Sequence, residues 1–214
     1  AGVASPNALM SKLCGDETTS AQDSILRQQL NLQVFTPLGL ELLKRYEQFD
    51  PEAPSVPSTH AYGELLDKET VSEAVIAYVD NAVRRDLGRP AAFDLLSVPF
   101  SINLQALHAA FLGDKINICK TLSALCEVVS QYPCDALLLT GRPSRVAGVQ
   151  AFIRKMMPLP PGRILPMQNY RTGGWYPFHK NGFIDDPKST ASVGAMLFLL
   201  CANHSVPNFY FRTS

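Results

Sequence analysis

The residues best suited to chemistry form one short stretch, Thr140-Gly141-Arg142-Pro143-Ser144-Arg145, directly after the apolar run Ala136 to Leu139. An apolar strand that ends in Thr-Gly and leads into a helix sets its turn at the carboxyl edge of a sheet, where open α/β folds bind ligands. Gly141 lets a ligand approach the backbone. The N–H groups opening the next helix and the guanidinium groups of Arg142 and Arg145 face the same crevice, a set suited to phosphate or to stacking on a base. On residue type alone Arg145 is equally well read as a solvated or salt-bridged side chain, and Arg142 more so. A second polar junction, Asp186-Pro187, can cap the last helix, with Pro187 in its first position, or face a ligand.

Other reactive groups point elsewhere. Cys14, Cys119, Cys126, Cys134 and Cys201 are odd in number and contain no CxxC pair, which argues against a disulfide framework or a zinc site. Cys119 and Cys126, seven apart on one helix face, read as buried thiols. His60, His108, His179 and His204 have neither metal spacing nor a Gly-x-Ser-x-Gly nucleophile motif near them and read as incidental. Tyr170, Trp175, Tyr176, Phe178 and Phe183 read as rings packed onto the lobe, with an exposed surface for a protein partner as the alternative.

Positioning the Gly141 turn requires a buried strand between helices. The leucine run is too short and too apolar for a strand with one wet face, which predicts a central parallel strand, Asp135 to Thr140, covered on both sides. Helices over about Asn103 to Leu112, closed by Gly113, and Ile116 to Tyr132 precede it; a helix over Ala147 to Met157 and a strand over Arg163 to Met167 follow. Trp175 to Phe178 and Phe183-Ile184 read as a hairpin about Asn181-Gly182, a pair suited to the positive dihedrals of a tight turn. A last helix runs from Lys188 to Cys201, and Asn208 to Arg212 reads as an edge strand. Gly194 inside that helix costs about 1 kcal/mol against Ala and so implies close packing on a neighbouring strand.

The N-terminal half reads as mostly helical. It is polar and irregular to about Ser20, then Ile25, Leu26 and Leu30 give a short helical pattern ending near Val34-Phe35. Thr36 as cap and Pro37 in the first position restart a helix, Leu38 to Gln48, with Leu38, Leu42, Leu43 and Tyr46 on its apolar face. Asp50 to His60, with three prolines, reads as a flexible loop. Thr70 and Glu73 form a capping box for a helix carrying Val71, Ala74, Val75, Tyr78, Val79, Ala82 and Val83, stopped by Gly88 and Pro90. Phe93 to Val98 reads as a strand. The expected division is a mainly helical subdomain, 1–112, with its loop near 50–60, and an α/β subdomain, 113–214.

Composition narrows the function classes. Nineteen basic and 19 acidic residues give a formal charge of zero, so no long-range field attracts nucleic acid or an anionic membrane. No run reaches the roughly 18 apolar residues of a membrane helix, and no basic segment precedes an apolar one at the N-terminus; the chain reads as cytoplasmic. With 46% hydrophobic residues it can bury one core or two small ones. Opening on Ala1-Gly2 suits a chain cut from a longer protein or a processed terminus.

The stretch Leu137 to Thr140, Gly141, Arg142, Pro143-Ser144, Arg145, Val146 and Val149 resembles the adenosine motif of the actin/Hsp70/sugar-kinase superfamily: an apolar strand, two glycines, a polar pair, Arg, a bulky apolar residue and Val. At the right distance downstream, Asp186-Pro187 with Gly194-Ala195 is similar to the segment that begins that fold's last helix. Ser101 to Phe111 and the helix ending at Tyr132 resemble the helices preceding the motif. The likeness covers about Phe93 to Ala202. More narrowly, Leu137 to Arg145, Trp175 to Phe178 and Asp186 to Ala195 resemble the C-terminal region of the SrfB-type virulence factors of Gram-negative bacteria.

The resemblance implies an α/β, ribonuclease H-like lobe, a central sheet flanked by helices, with Gly141, Arg142, Ser144, Arg145 and Asp186 on the nucleoside side of an ATP site. Gly141 would lie against the nucleotide and Arg145 would pack on adenine. Arg142 replaces the second glycine, adding bulk and charge there. Nothing reads Asp-x-Gly-Gly-Gly-Thr or Asp-x-Gly-Thr, and Gly15-Asp16-Glu17-Thr18-Thr19 is a poor substitute, so Mg and the phosphates would be held by regions outside this chain, and the chain alone is expected to be without ATPase activity. Two rivals stand beside this reading: a non-enzymatic interaction module that has lost nucleotide, and a self-contained phosphate-ligand binder or transferase.

Overall fold

The computed structural model describes residues 5–15, 20–66, 70–88 and 91–208. Its contacts group the chain into two compact units, one of residues 1–48 and 54–104, the other of residues 49–53 and 105–214. The division at 104/105 precedes the expected one at 112/113, because the end of the next helix is tied to later residues: the Cys119 thiol donates to Phe111 O at 3.6 Å and Lys155 to Leu112 O at 2.7 Å.

The first unit is built on helices α1 (Pro6–Cys14), α2 (Ala21–Leu30), α3 (Thr36–Glu47), α4 (Tyr62–Leu65) and α5 (Glu73–Leu87), with an antiparallel pair, β1 (Ser58–Ala61) and β2 (Pro99–Ile102). Helix α1 lies where an irregular stretch was expected. Ser5 accepts the Ala8 N–H and Pro6 holds the first position, the start rule that also fits Thr36-Pro37. Leu9 and Leu13 enter a core with Leu30, Val34, Leu38, Val75, Val79 and Val83. Arg27 of α2 donates to the Lys12 carbonyl at 3.0 Å and to that of Gly15, closing the end of α1.

At Thr36-Pro37 no new helix starts. The helix passes from α2 through a π-helical segment, Asn31–Phe35, into α3, and Thr36 is itself helical (φ −65°, ψ −49°). A wider turn relieves the clash between a proline ring and the carbonyl four residues back, so Pro37 is accommodated rather than used as a start. Leu38 and Tyr46 of the expected apolar face are buried, whereas Leu43 is 44% exposed. In helix α5 the N-cap position is Ser72, not Thr70, and its side chain makes no capping hydrogen bond; the helix ends, as expected, on left-handed Gly88 (φ 62°), while Pro90 lies outside the described residues. Residues 58–60 leave the expected loop to pair as β1, with His60 opposite Phe100. The strand expected over Phe93 to Val98 is a 3-10 turn, Leu95–Ser97, because Asp94 takes the Leu96 N–H; the strand follows it as β2.

The second unit contains α6 (Leu104–Leu112), α7 (Asn117–Ser130), β3 (Leu137–Leu139), α8 (Ala147–Met156), β4 (Ile164–Pro166), β5 (His179–Lys180), β6 (Phe183–Ile184) and α9 (Thr190–Ala202). Gly113 closes α6 through its N–H to Ala109 O. Cys119 and Cys126 are buried on α7, and burial pushes the Cys126 thiol up, away from reactivity at neutral pH. β3, α8 and β4 form a parallel βαβ unit pairing Leu137 with Ile164 and Leu139 with Pro166. The strand is parallel, as expected, but its sheet has two strands among the described residues, and only one face is covered. Leu139 and Ile164 are buried; Leu138, on the other face, is 55% exposed. The expectation of a central strand covered on both sides is therefore corrected for this chain: the alternation of the strand turns Leu138 outward, where it stays more than half exposed.

The hairpin β5–β6 turns on Asn181 (φ 54°) and Gly182 (φ 81°), as their types require. The expected edge strand after Asn208 lies outside the described residues.

Candidate functional site

Two segments forty residues apart meet at the carboxyl end of β3. Gly141, at φ 76° and ψ 164°, turns the chain in a conformation open essentially to glycine, and its N–H donates to Pro187 O at 3.2 Å. The Arg145 guanidinium donates to the Asp185 carbonyl at 2.8 Å. Between strand and helix lies a 3-10 turn, Arg142–Arg145, so α8 begins one turn later than a direct strand-to-helix junction would have it.

The turn is locked from within. Ser144, buried, donates its hydroxyl to Gly141 O at 2.7 Å and its backbone N–H to the same oxygen at 3.2 Å. Gln150, on the covered face of α8, donates its amide to Ser144 O at 2.8 Å, and its Oε1 accepts from Arg154 at 3.4 Å. The sequence did carry a signal for Gln150: Val146, Val149 and Ile153 repeat at helical spacing, and Gln150 stands inside that stripe.

Of the expected site residues, Gly141, Ser144 and Arg145 thus hold the turn and its link to residues 185–187. Arg142 is exposed at its start. Asp186 caps: its carboxylate accepts the Lys188 N–H at 3.0 Å, opening a 3-10 turn, Pro187–Ser189, that runs into α9. Gly194 has open space where a Cβ would stand, so the close packing expected there is absent and its reason within this chain is not packing.

The aromatic group divides. Tyr176 is buried with Ile184 and Val193, its hydroxyl 2.7 Å from Ser189 Oγ, which fastens the hairpin to the start of α9. Tyr170, Trp175, Phe178 and Phe183 are exposed rather than packed onto the lobe. Trp175 and Phe178 meet the Tyr176 ring edge-on, centroids 5.6 and 6.5 Å away, so one buried ring anchors two that face water.

Chemically, this end of β3 brings the basic Arg142 and Arg145 together with the acidic Asp185 and Asp186, so its charges are mixed. Among the described residues no group of His, Cys, Asp and Glu is placed to hold a metal ion, and no helix is long and apolar enough to cross a membrane. A cavity of about 350 Å³ lies in the first unit, lined by Lys12, Asp23, Tyr78 and Arg85 among others, and the resemblance places no function there.

No curated protein and no solved structure matches the chain. A family model described as Virulence factor SrfB matches residues 1–214, and with its whole length covered the chain belongs to the SrfB virulence factor family.

Proposed function

We propose that the turn Gly141–Arg145 and the segment Asp185–Pro187 are the adenosine side of a nucleotide cleft in an actin/Hsp70-like ATPase-type virulence factor, completed by a lobe outside this chain that holds Mg and the phosphates. One observation carries this reading: the two segments that resemble the superfamily's motif and last helix are joined by Gly141 N–H to Pro187 O and Arg145 to Asp185 O. Periodicity and composition say nothing of that meeting, whereas the resemblance puts both segments on one nucleotide site. A ligand at the carboxyl end of a parallel strand is also where such folds place one.

In this reading Arg145 turns its guanidinium from the Asp185 carbonyl to the base, where stacking contributes about 0.5–2 kcal/mol. Titration of the full-length protein with a non-hydrolysable ATP analogue and Mg tests it. Binding that weakens about 2- to 30-fold in Arg145→Ala supports the assignment; tight binding unchanged by that substitution removes Arg145 from the site. The chain alone is expected to show no Mg-dependent ATP turnover, and sustained turnover by it would overturn the division of labour.

A second reading, a non-enzymatic interaction module, is favoured by the exposed apolar surface of the second unit, Leu138 and Leu165 on the sheet and Met196, Phe198 and Leu199 on α9. Its signature is a full-length wild type that binds no nucleotide, with Arg142→Gly restoring binding.

A further inference from the structure

Outside that site, a polar cluster in the first unit ties α3 to β1 and α4. Arg45 Nη1 lies 3.0 Å from His60 Nε2, and Ser58 Oγ lies 3.1 Å from the same nitrogen. On the other side of the ring, His60 Nδ1 is 3.4 Å from Glu64 Oε2. Arg45 Nε donates to Glu41 Oε1 at 2.9 Å, and Lys44 stands 3.9 Å from the second oxygen of Glu41. In β2 the residue paired with His60 is the uncharged Phe100.

A guanidinium has donors only, so His60 Nε2 must accept, and the ring proton belongs on Nδ1, toward Glu64. Ser58, His60 and Glu64 then match the order of a nucleophile, base and carboxylate. Arg45 takes away what that chemistry needs, because its N–H already occupies the Nε2 lone pair that a base would use. The same fact makes the cluster sensitive to protonation. A protonated ring has no acceptor for Arg45 and sets one cation against another, while its contact with Glu64 becomes an ion pair.

The position of the cluster gives this exchange a consequence. Arg45 precedes, and Ser58 and His60 follow, the segment 49–53 that the chain contributes to the second compact unit before returning at Pro54. The Arg45–His60 contact clamps the root of that excursion.

We infer that Arg45 and His60 form a proton-sensitive clamp at the root of the 48–57 segment, closed while His60 is the neutral Nδ1–H tautomer and released when protonation moves His60 to Glu64 and Arg45 to Glu41 alone. Imidazole ¹⁵N spectra of the protein at pH 7.5 read the tautomer directly: an unprotonated Nε2 is expected, and a protonated one overturns the clamp. Hydrogen exchange of the amides from Tyr46 to His60, corrected for intrinsic rates, reads its release. Lowering the pH from 7.5 to 5.5 is expected to reduce protection in wild type about fivefold, the effect of one ordinary hydrogen bond. His60→Gln keeps a neutral acceptor for Arg45, and Arg45→Gln removes the cation, so either variant should flatten that response. An equal response in wild type and in both variants overturns the proposal, and so does covalent labelling of Ser58 by a fluorophosphonate, which requires Nε2 to serve as a base.

Discussion

Each unit contains a short strand pair, and the two pairs solve the same problem differently. In the antiparallel pair of the first unit, Thr59 and Ser101 face each other on the exposed side and Ile102 is buried on the other. Such a pair can leave one face to water, because its side chains alternate in polarity as well as in direction. In the parallel pair of the second unit both faces are apolar: Ile164 is 1% exposed beneath, while Leu138 and Leu165 stand outward. Parallel sheets are ordinarily covered on both sides. The first pair is complete in its own unit; the second presents a surface of the kind that protein folds or partners cover.

The largest effects should come from the faces the two pairs share. Ile164→Ala under β3–β4 and Ile102→Ala under β1–β2 each remove a buried branched side chain, and each should cost about 2–5 kcal/mol in urea unfolding. A cost under about 1 kcal/mol for either would mean that its inner face is not a packed core. Next comes the turn that the parallel pair supports: Gly141→Ala puts a Cβ into a backbone conformation that costs about 1–3 kcal/mol, with no neighbouring atom closer than 3.8 Å to add a clash. Gly194→Ala, with open space and helical dihedrals, should instead stabilise, by about 1 kcal/mol at most.

Local rules made much of this molecule legible. Gly88 and Gly113 end their helices, Asn181-Gly182 makes its hairpin, and Cys119 with Cys126 faces inward, each decided by residues within a turn or two. The start of α1 follows from the same cap-and-proline rule, which Ser5-Pro6 satisfies as well as Thr36-Pro37 does; at Thr36 a continuous helix overrode the rule by widening one turn. What the sequence could not disclose is non-local. β1 has little periodicity and exists because β2, some forty residues on, supplies its partner; Leu138 reads as core because a leucine run does not say which strands adjoin it. At the candidate site the resemblance put Gly141 and Asp186 on one nucleotide site, which periodicity does not, but it named neither the contact of Gly141 with Pro187 nor the locking roles of Gln150 and Tyr176.

The first unit is also closed by charge, which gives a smaller and pH-dependent test. Lys12 of α1 and Arg85 both reach Asp86, at 3.0 Å each. Arg85 chiefly, and Lys12 after it, hold the Asp86 carboxyl below its ordinary value of 3.8. A carboxyl lowered in the folded state contributes stability that is complete above its unfolded value and lost as the pH falls through the folded one. Because both cations are largely exposed, the contribution should be about 0.5–1 kcal/mol. Wild type should therefore exceed Asp86→Asn in urea stability by that amount at pH 7, with the gap closing below pH 4; a gap that widens on acidification would reverse the sign of the interaction.

The smallest effect is the most telling for the comparison. Leu138 and Leu165 protrude from the outer face of β3–β4, and replacing an exposed side chain away from any core changes stability by no more than about 0.5 kcal/mol. Threonine has the β-branched shape a strand prefers and gives this face the polarity that Thr59 and Ser101 give theirs. Leu138→Thr with Leu165→Thr should thus leave the unfolding midpoint of the chain unchanged while lowering its self-association at high concentration, read by sedimentation velocity. If the double variant loses more than about 1.5 kcal/mol, far beyond a surface change, the outer face is covered within the chain and the two pairs are alike after all. If stability holds and association falls, the outward leucines serve a surface outside this unit, and the parallel pair is half of a larger layer.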